Sequence, residues 1–146
     1  MLELAQIQDI LNEIPLFAGS SPECLREIAS IARERNCAKG TIIYAAGTEA
    51  LDMFVLLRGL VSFTTETGVG LLNVQTVMKR HMIFGWASLV PEHPRRIGTA
   101  ECLEECTILS INGDALLDIL SRHPQAGFVI MKRLCSLIAR TFVDKG

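Results

Sequence analysis

The spacing of apolar residues changes twice along the chain, from a helical period to a strand period and back again. Helical spacing predicts an amphipathic helix over residues 3–14, which Pro15 ends. A second helix is expected to begin at Ser20 or Ser21, whose hydroxyl can cap it, and to end near Asn36. The N-terminal part of the chain is therefore predicted to be helical over residues 3–36.

The middle of the chain, residues 37–111, consists of short runs of β-branched and aliphatic residues separated by glycines. These runs are 41–44, 53–57, 60–65, 71–78, 99–102 and 106–111. Short strands between regularly spaced turn residues are typical of a β-barrel or sandwich. Residues 53–57 are almost all apolar and are expected at its centre, while residues 67–70 are expected to form a hairpin tip.

Helical spacing returns after Gly113. One short helix is expected to end at His123 and Pro124, and a last helix to run from about residue 125 to 142. The last helix carries two adjacent apolar stripes. One stripe can pack on the rest of the chain, and the second packs within the same chain or meets a partner helix.

The composition is that of an ordinary globular chain, with 49% hydrophobic and 21% charged residues over 146 positions, enough for one domain. A net charge of −2 gives no basic footprint for nucleic acid. No apolar run approaches the ~18 residues that span a bilayer, and the first residues do not form a signal peptide. We therefore expect a cytoplasmic protein without a membrane segment.

The five cysteines show no C-x-x-C pair and are expected to be inert core thiols; they are Cys24, Cys37, Cys102, Cys106 and Cys135. No nearby histidine completes a zinc-ligand spacing around the last strands, so no metal site is expected. A structural disulfide is not expected in a reducing compartment. No Ser/His/Asp order, paired carboxylates or phosphate-loop spacing appears, so the chain is not expected to be an enzyme.

Residues 83–100 are the candidate functional segment. A strand is expected to run into Gly85, followed by one helical turn and a loop that contains Arg95 and Arg96. Glycine before a helical turn lets a ligand approach backbone N–H groups, and an arginine adds a planar, charged fork for phosphate. The alternative interpretation is that Gly85 only makes a turn and that both arginines are solvated.

Six features in the same order carry a resemblance to a known family: residues 14–17, 39–43, Gly47, and residues 57–61, 84–85 and 108–111. The chain resembles a cyclic-nucleotide-binding domain, and more narrowly the sensor half of bacterial regulators of the catabolite-activator and fumarate–nitrate-regulator family. This resemblance implies an α+β fold, an antiparallel jelly-roll barrel flanked by N-terminal helices and two C-terminal helices. It also implies one sensor domain over residues 1–146, with helices 3–36, barrel 37–111 and closing helices 113–143.

In members that bind cyclic AMP or GMP, a glutamate after Phe-Gly accepts the ribose hydroxyl and an arginine pairs with the cyclic phosphate. The corresponding ligand-binding positions here are Phe84, Gly85, Trp86, Ala87, Ser88, Arg95, Arg96 and Ile97. Trp86 stands at the glutamate position, and an indole N–H donates but cannot accept. The resemblance therefore implies a regulatory small-molecule sensor for a cyclic nucleotide or another anionic ligand, with weak binding of cyclic AMP.

In the resembling regulators the closing helix pairs with its symmetry mate. This implies a homodimer through Met131, Leu134, Cys135, Ile138 and Phe142, without direct binding of nucleic acid by this chain. Two alternatives remain open. One is a ligand-free protein–protein interaction module of the same fold, and the other is a haem-binding gas or redox sensor with His81, Met82 or His93 as axial ligand.

Overall fold

A computed structural model describes residues 1–66, 73–90, 92 and 94–143. Four helices, eight strands and a single 3-10 turn make up this part of the chain. In chain order these are α1 (Leu4–Glu13), α2 (Pro22–Ile31), β1 (Ala32–Cys37), β2 (Ile42–Tyr44), β3 (Asp52–Arg58), β4 (Val61–Glu66), β5 (Asn73–Met78), β6 (Ile83–Phe84), the 3-10 turn (Trp86–Leu89), β7 (Gly98–Cys102), β8 (Cys106–Asn112), α3 (Gly113–Arg122) and α4 (Pro124–Val143).

All eight strands belong to one of two compact units, which contains Ala32–Ala115 together with Met1. They form two antiparallel four-stranded sheets, ordered β1-β8-β3-β6 and β2-β7-β4-β5. The predicted α+β class with a jelly-roll arrangement is confirmed, although the described strands form two sheets rather than one closed barrel. The predicted hairpin tip at residues 67–70 lies outside the described residues.

The prediction of a helix up to Asn36 is wrong. Helix α2 ends at Ile31, and strand β1 pairs with β8 from Ala32 opposite Ile111 to Cys37 opposite Cys106. Alanine, arginine and glutamate in this segment favour a helix intrinsically, but the ladder with β8 outweighs that weak preference. The strand region therefore begins at residue 32 and not at 37.

The core of this unit is centred on β3, as its apolar run predicts. Met53, Phe54, Val55 and Leu56 are each no more than 3% exposed. Strand β3 lies between β8 and β6, so its residues are covered by neighbouring strands on both edges. This arrangement brings the end of β6, where the candidate functional segment begins, against a strand whose central residues are buried.

The second compact unit contains Leu2–Ile31 and the chain from Leu116 onwards. Glu27 on α2 accepts hydrogen bonds from Arg122, at 2.6 Å, and from His123. On α4, the Nη1 of Arg133 donates to the carbonyls of Pro15, Leu16 and Ala18, at 3.0, 3.3 and 2.7 Å. These contacts tie the helices of this unit together through side chains.

Within the described residues, no helix combines the length and the apolar character needed to cross a membrane.

Candidate functional site

The candidate segment begins with a strand and a tight turn, as the sequence predicts. Strand β6 pairs with β3, with Phe84 opposite Phe54, and Gly85 then introduces the 3-10 turn. Gly85 has φ of 75°, a left-handed conformation that residues with a Cβ rarely adopt. A Cβ here would also lie 3.0 Å from Phe54 Cδ2 and 3.2 Å from the Asp52 carbonyl oxygen. The positive φ and the tight space therefore both favour glycine at this position.

Arg96 lies beneath this turn and is only 6% exposed. Its Nη1 donates to the Gly85 carbonyl at 3.0 Å, and its Nη2 donates to the Asp52 carbonyl. Its backbone is held on both sides, because Gly47 N–H donates to its carbonyl and its own N–H donates to Thr48. Its Nε is buried and has no hydrogen-bond partner among the described residues.

Aromatic rings form the floor below this guanidinium. Arg96 Cζ lies 4.1 Å from the centroid of the Tyr44 ring and 6.0 Å from that of Phe54. The Phe54 and Phe84 rings stack on each other with centroids 5.2 Å apart. A cation over an aromatic face is attracted by the ring quadrupole, and more strongly when it is desolvated. The buried charge of Arg96 is therefore partly stabilised by Tyr44.

Burial shifts the pKa of both ionisable groups in this stack, Tyr44 and Arg96. It raises the pKa of Tyr44 to about 12, and the positive charge of Arg96 opposes that rise. Burial lowers the pKa of Arg96, while Tyr44 and Asp52 act in the opposite direction. The Asp52 carboxylate itself accepts a hydrogen bond from Ser110 Oγ at 3.2 Å. No ion pair joins Arg96 to a carboxylate in the described part of the chain.

The other residues predicted for the ligand site divide into two groups. Phe84 and Ser88 are buried beside Gly85, and Ser88 Oγ donates to the Gly85 carbonyl at 3.1 Å. Trp86 and Ala87 in the turn are half-buried. Arg95 is exposed and donates to the Gly47 carbonyl at 3.3 Å, while Ile97 is 73% exposed. The structure thus brings Arg96, and not Arg95, to the glycine turn.

The turn also touches the start of α3. A Cβ built on Gly113 would lie 2.2 Å from the Ser88 carbonyl oxygen. The Gly113 N–H donates to the Leu51 carbonyl at 2.9 Å, next to Asp52. Interiors packed this closely transmit a displacement of one group to its neighbour. The 3-10 turn and the beginning of α3 are therefore in direct mechanical contact.

The glycine turn and the buried arginine both lie in a segment that matches the sequence profile of a known family. The sequence profile described as "Cyclic nucleotide-binding domain" matches residues 34–123. The chain belongs to the cyclic nucleotide-binding domain family. The resemblance inferred from the sequence is thereby confirmed.

Relatives of this cyclic nucleotide-binding domain include regulatory proteins. The chain is 28% identical to the "Anaerobic regulatory protein" of Bacillus subtilis over 72% of its own length but only 44% of that protein. The sensor domain of the transcriptional regulator DNR from Pseudomonas aeruginosa has the same fold, with a TM-score of 0.78 and 20% identity. The match covers 95% of this chain and 93% of that one. The regulatory domain of Toxoplasma gondii PKA, solved with cAMP, also has this fold, with a TM-score of 0.79 and 16% identity. The match covers 94% of this chain and 50% of that one.

Sequence reasoning missed two groups of this cyclic nucleotide-binding domain. Tyr44 supplies the ring below Arg96, and Asp52 contributes its backbone carbonyl. Tyr44 is the single tyrosine of the chain and ends a short strand, which is a usable signal. The role of Asp52 has no such signal, because every residue has a backbone carbonyl.

Of the residues considered for haem, His81 and Met82 lie just before β6. His81 has φ of 68° in the turn before β6, and the Met82 sulfur accepts a hydrogen bond from the Lys79 N–H at 3.2 Å. His93 lies outside the described residues. Over the part of the chain that the structure describes, no three His, Cys, Asp or Glu residues are placed to hold a metal ion. The haem alternative stays a prediction.

The residues predicted for a dimer lie on α4. Met131 and Ile138 are half-buried and Cys135 is exposed, while the side chain of Phe142 lies outside the described residues. Leu134 is only 3% exposed. Its assignment to the dimer seam is therefore corrected, because it is already covered within the single chain. Two further apolar residues on α4, Phe128 and Val129, are 67% and 42% exposed.

Proposed function

We propose that this cyclic nucleotide-binding domain is a non-catalytic sensor that binds a small anionic ligand at the Gly85 turn. Arg96 is the main charged contact, and the signal leaves through the C-terminal helix. The observation that carries the proposal is the buried guanidinium of Arg96, whose Nε–H has no acceptor in the described residues.

The reasoning is electrostatic. A buried charge is costly unless an opposite charge and hydrogen bonds compensate for it. Here two backbone carbonyls and an aromatic face provide only part of that compensation. An anion that reaches the guanidinium would supply the missing charge and an acceptor. The first N–H groups of the 3-10 turn, which lack partners within the turn, would add further donors.

Trp86 restricts the chemistry of that anion. The family position that accepts a ribose hydroxyl carries an indole here, which cannot accept a hydrogen bond. A missing hydrogen bond that leaves a polar group unpaired costs about 1–3 kcal/mol, or one to two decades of affinity. We therefore propose that the ligand is not read through its ribose hydroxyl and that cyclic AMP binds weakly.

A thermal-shift series on the whole chain tests the site. The compounds are cyclic AMP, cyclic GMP, cyclic dinucleotides, inorganic phosphate and sulfate. A compound at 100 times its Kd adds about 2.7 kcal/mol of stability. We expect at least one of these anions to raise the melting temperature of the wild type and of Arg95→Gln, but not of Arg96→Gln. An equal shift in both variants would contradict the proposed role of Arg96.

Trp86→Glu tests the proposed ligand restriction separately. Restoring an acceptor should strengthen binding of cyclic AMP by about one to two decades if the rest of the site is intact. Trp86→Gln is the matched control, because it removes the indole without adding a charge. Low-micromolar binding of cyclic AMP by the wild type in calorimetry would refute the proposed weakness.

We further propose that α4 mediates homodimerisation through Met131, Cys135, Ile138 and Phe142. Support comes from the exposed Phe128 and Val129 on the same helix and from the exposed Cys135, since large exposed apolar patches mark interaction sites. A short seam should give a concentration-dependent dimer. Sedimentation over a hundredfold concentration range should show it, and Ile138→Glu should abolish it, whereas Ser136→Glu should not. A monomer at all concentrations would refute this part of the proposal.

One observation favours a second candidate function. Arg96 already donates to Gly85 and Asp52 and stacks on Tyr44, which is how a purely structural arginine would be held. In that case the chain is a ligand-free module that acts by protein–protein contact. It would show no anion-dependent melting shift at all, and Arg96→Gln would lower stability equally with and without the anions.

A further inference from the structure

A cleft of about 700 Å³ lies within the helical unit. We call it the helical cleft, and it is lined by residues 18–21 and 122–126 together with Val129 and Arg133. One side is therefore the segment before α2, and the other is the end of α3 with the first half of α4. Ligand clefts commonly have volumes of about 300–1,000 Å³, so the helical cleft has room for a small organic molecule.

The charged side chains that line the helical cleft are arginines, and no acidic residue among the described ones lines it. Arg122 is already paired, because it donates to Glu27 at 2.6 Å and to Asp118 at 3.3 Å. His123 contacts the other carboxylate oxygen of Glu27. Arg133 differs from Arg122, because no carboxylate in the described part of the chain pairs with it.

The protein holds Arg133 through only one of its nitrogens. Its Nη1 lies within 3.3 Å of three backbone carbonyl oxygens in the segment after α1. Its Nη2 and Nε have no hydrogen-bond partner among the described residues. A guanidinium has five N–H groups in a planar fork, and Nη2 and Nε carry three of them. The side chain is half-buried, so it is oriented by the protein and still accessible to a ligand.

The helical cleft also offers hydroxyl groups and an apolar surface. Ser20 and Ser21 both line it. Ser21 Oγ accepts a hydrogen bond from the Cys24 N–H at 3.2 Å, which leaves the Ser21 O–H available as a donor. Val129, which is 42% exposed, and Ala126 supply the apolar surface. This combination suits a molecule with an anionic group on an apolar body.

We propose that the helical cleft binds a small molecule that carries a phosphate group on an apolar body, with Arg133 as its main charged contact. An arginine fork binds two phosphate oxygens through parallel N–H···O bonds. A phosphate monoester has three acceptor oxygens, so the serine hydroxyls would donate to the third. A carboxylate has only two oxygens and would leave these hydroxyls without an acceptor.

This site is independent of the proposed ligand function, since it uses none of the residues assigned to the Gly85 turn. A ligand in the helical cleft would join the segment before α2 to α4, which is the helix proposed to mediate dimerisation. The helical unit would then have an effector site of its own.

NMR titration of the whole ¹⁵N-labelled chain with phenyl phosphate locates the site. We expect the amide signals of residues 19–21 and 125–126 to shift along one saturable curve. The signals of Gly85–Ser88 report on the other site, so the two proposals can fail separately. Inorganic phosphate lacks the apolar body, and benzoate lacks the third oxygen. Each should therefore bind the helical cleft more weakly than phenyl phosphate.

Arg133→Gln should raise the Kd of phenyl phosphate in the helical cleft by about tenfold or more, because it removes a charged donor. Arg140→Gln is the matched control, since Arg140 is exposed on the same helix, outside the helical cleft, and its loss changes the net charge equally. It should leave this Kd unchanged. The wild-type titration decides the question even if Arg133→Gln does not fold.

Three results would overturn the proposal. The first is the absence of saturable shifts at residues 19–21 and 125–126. The second is binding of inorganic phosphate or benzoate at these residues as tightly as phenyl phosphate. The third is a wild-type Kd in a folded Arg133→Gln protein.

Discussion

Gly113→Ala tests the contact between the 3-10 turn and α3. The new Cβ would lie 2.2 Å from the Ser88 carbonyl oxygen, where an ordinary contact needs about 3.4 Å, so one of the two segments must move by more than 1 Å. Overpacking of this kind costs about 1–3 kcal/mol, of which the better helix propensity of alanine offsets up to about 1. We expect a net loss of about 1–2 kcal/mol, or roughly 2–8 °C in Tm for a chain of this size.

The fluorescence of Trp86, the single tryptophan, reports whether the turn is what moves. In Gly113→Ala its emission maximum should shift, since Trp86 and Ser88 belong to the same turn. Gly127→Ala is the matched control: its Cβ meets the Leu120 carbonyl at 2.6 Å, so it should lower stability without changing the emission. A Gly113→Ala protein with the Tm and emission of the wild type would refute the reasoning.

Two further predictions concern pH. The folded pKa of Tyr44, about 12, lies above the ordinary value of 10.0, so the contribution of Tyr44 to stability should be complete below pH 10 and lost as the pH rises towards 12. Denaturant unfolding should show this loss in the wild type and not in Tyr44→Phe. Equal pH profiles of the two proteins would contradict the prediction. Hydrogen bonds from Arg122 and His123 lower the pKa of Glu27 below 4.5. The stability difference between wild type and Glu27→Gln should therefore be present above pH 4.5 and should vanish as the pH falls through the folded pKa of Glu27. A difference that persists in stronger acid would contradict this assignment.

Most of the fold could be predicted from apolar spacing and glycine punctuation. The strand at residues 53–57 and the helix breaks at Pro15 and Pro124 all have local causes in the sequence. Strand β1 does not. Its residues have no apolar alternation, and it is a strand only because β8 lies beside it. A pairing between residues 32–37 and 106–111 is a long-range effect that single-sequence patterns do not contain.

The candidate site was predictable in its position but not in its detail. Gly85 and an arginine about ten residues later were enough to locate it. Spacing left Arg95 and Arg96 as alternatives, because side chains on successive residues can face opposite directions and the loop geometry decides between them. The backbone at Arg96 is held by hydrogen bonds from the Gly47 N–H and to the Thr48 carbonyl, and both residues are far away in sequence.

The Arg133 contact in the helical unit has a consequence for motion. Its Nη1 carries two hydrogens, yet three carbonyl oxygens lie within 3.3 Å of it. The three carbonyl oxygens therefore compete for two hydrogens, and at any moment at least one of them has a weak hydrogen bond or none from Nη1. A small rotation of α4 about its own axis would exchange one acceptor for another rather than break the contact. Arg133 therefore holds α4 to the segment after α1 and at the same time allows α4 a few rotational positions of nearly equal energy.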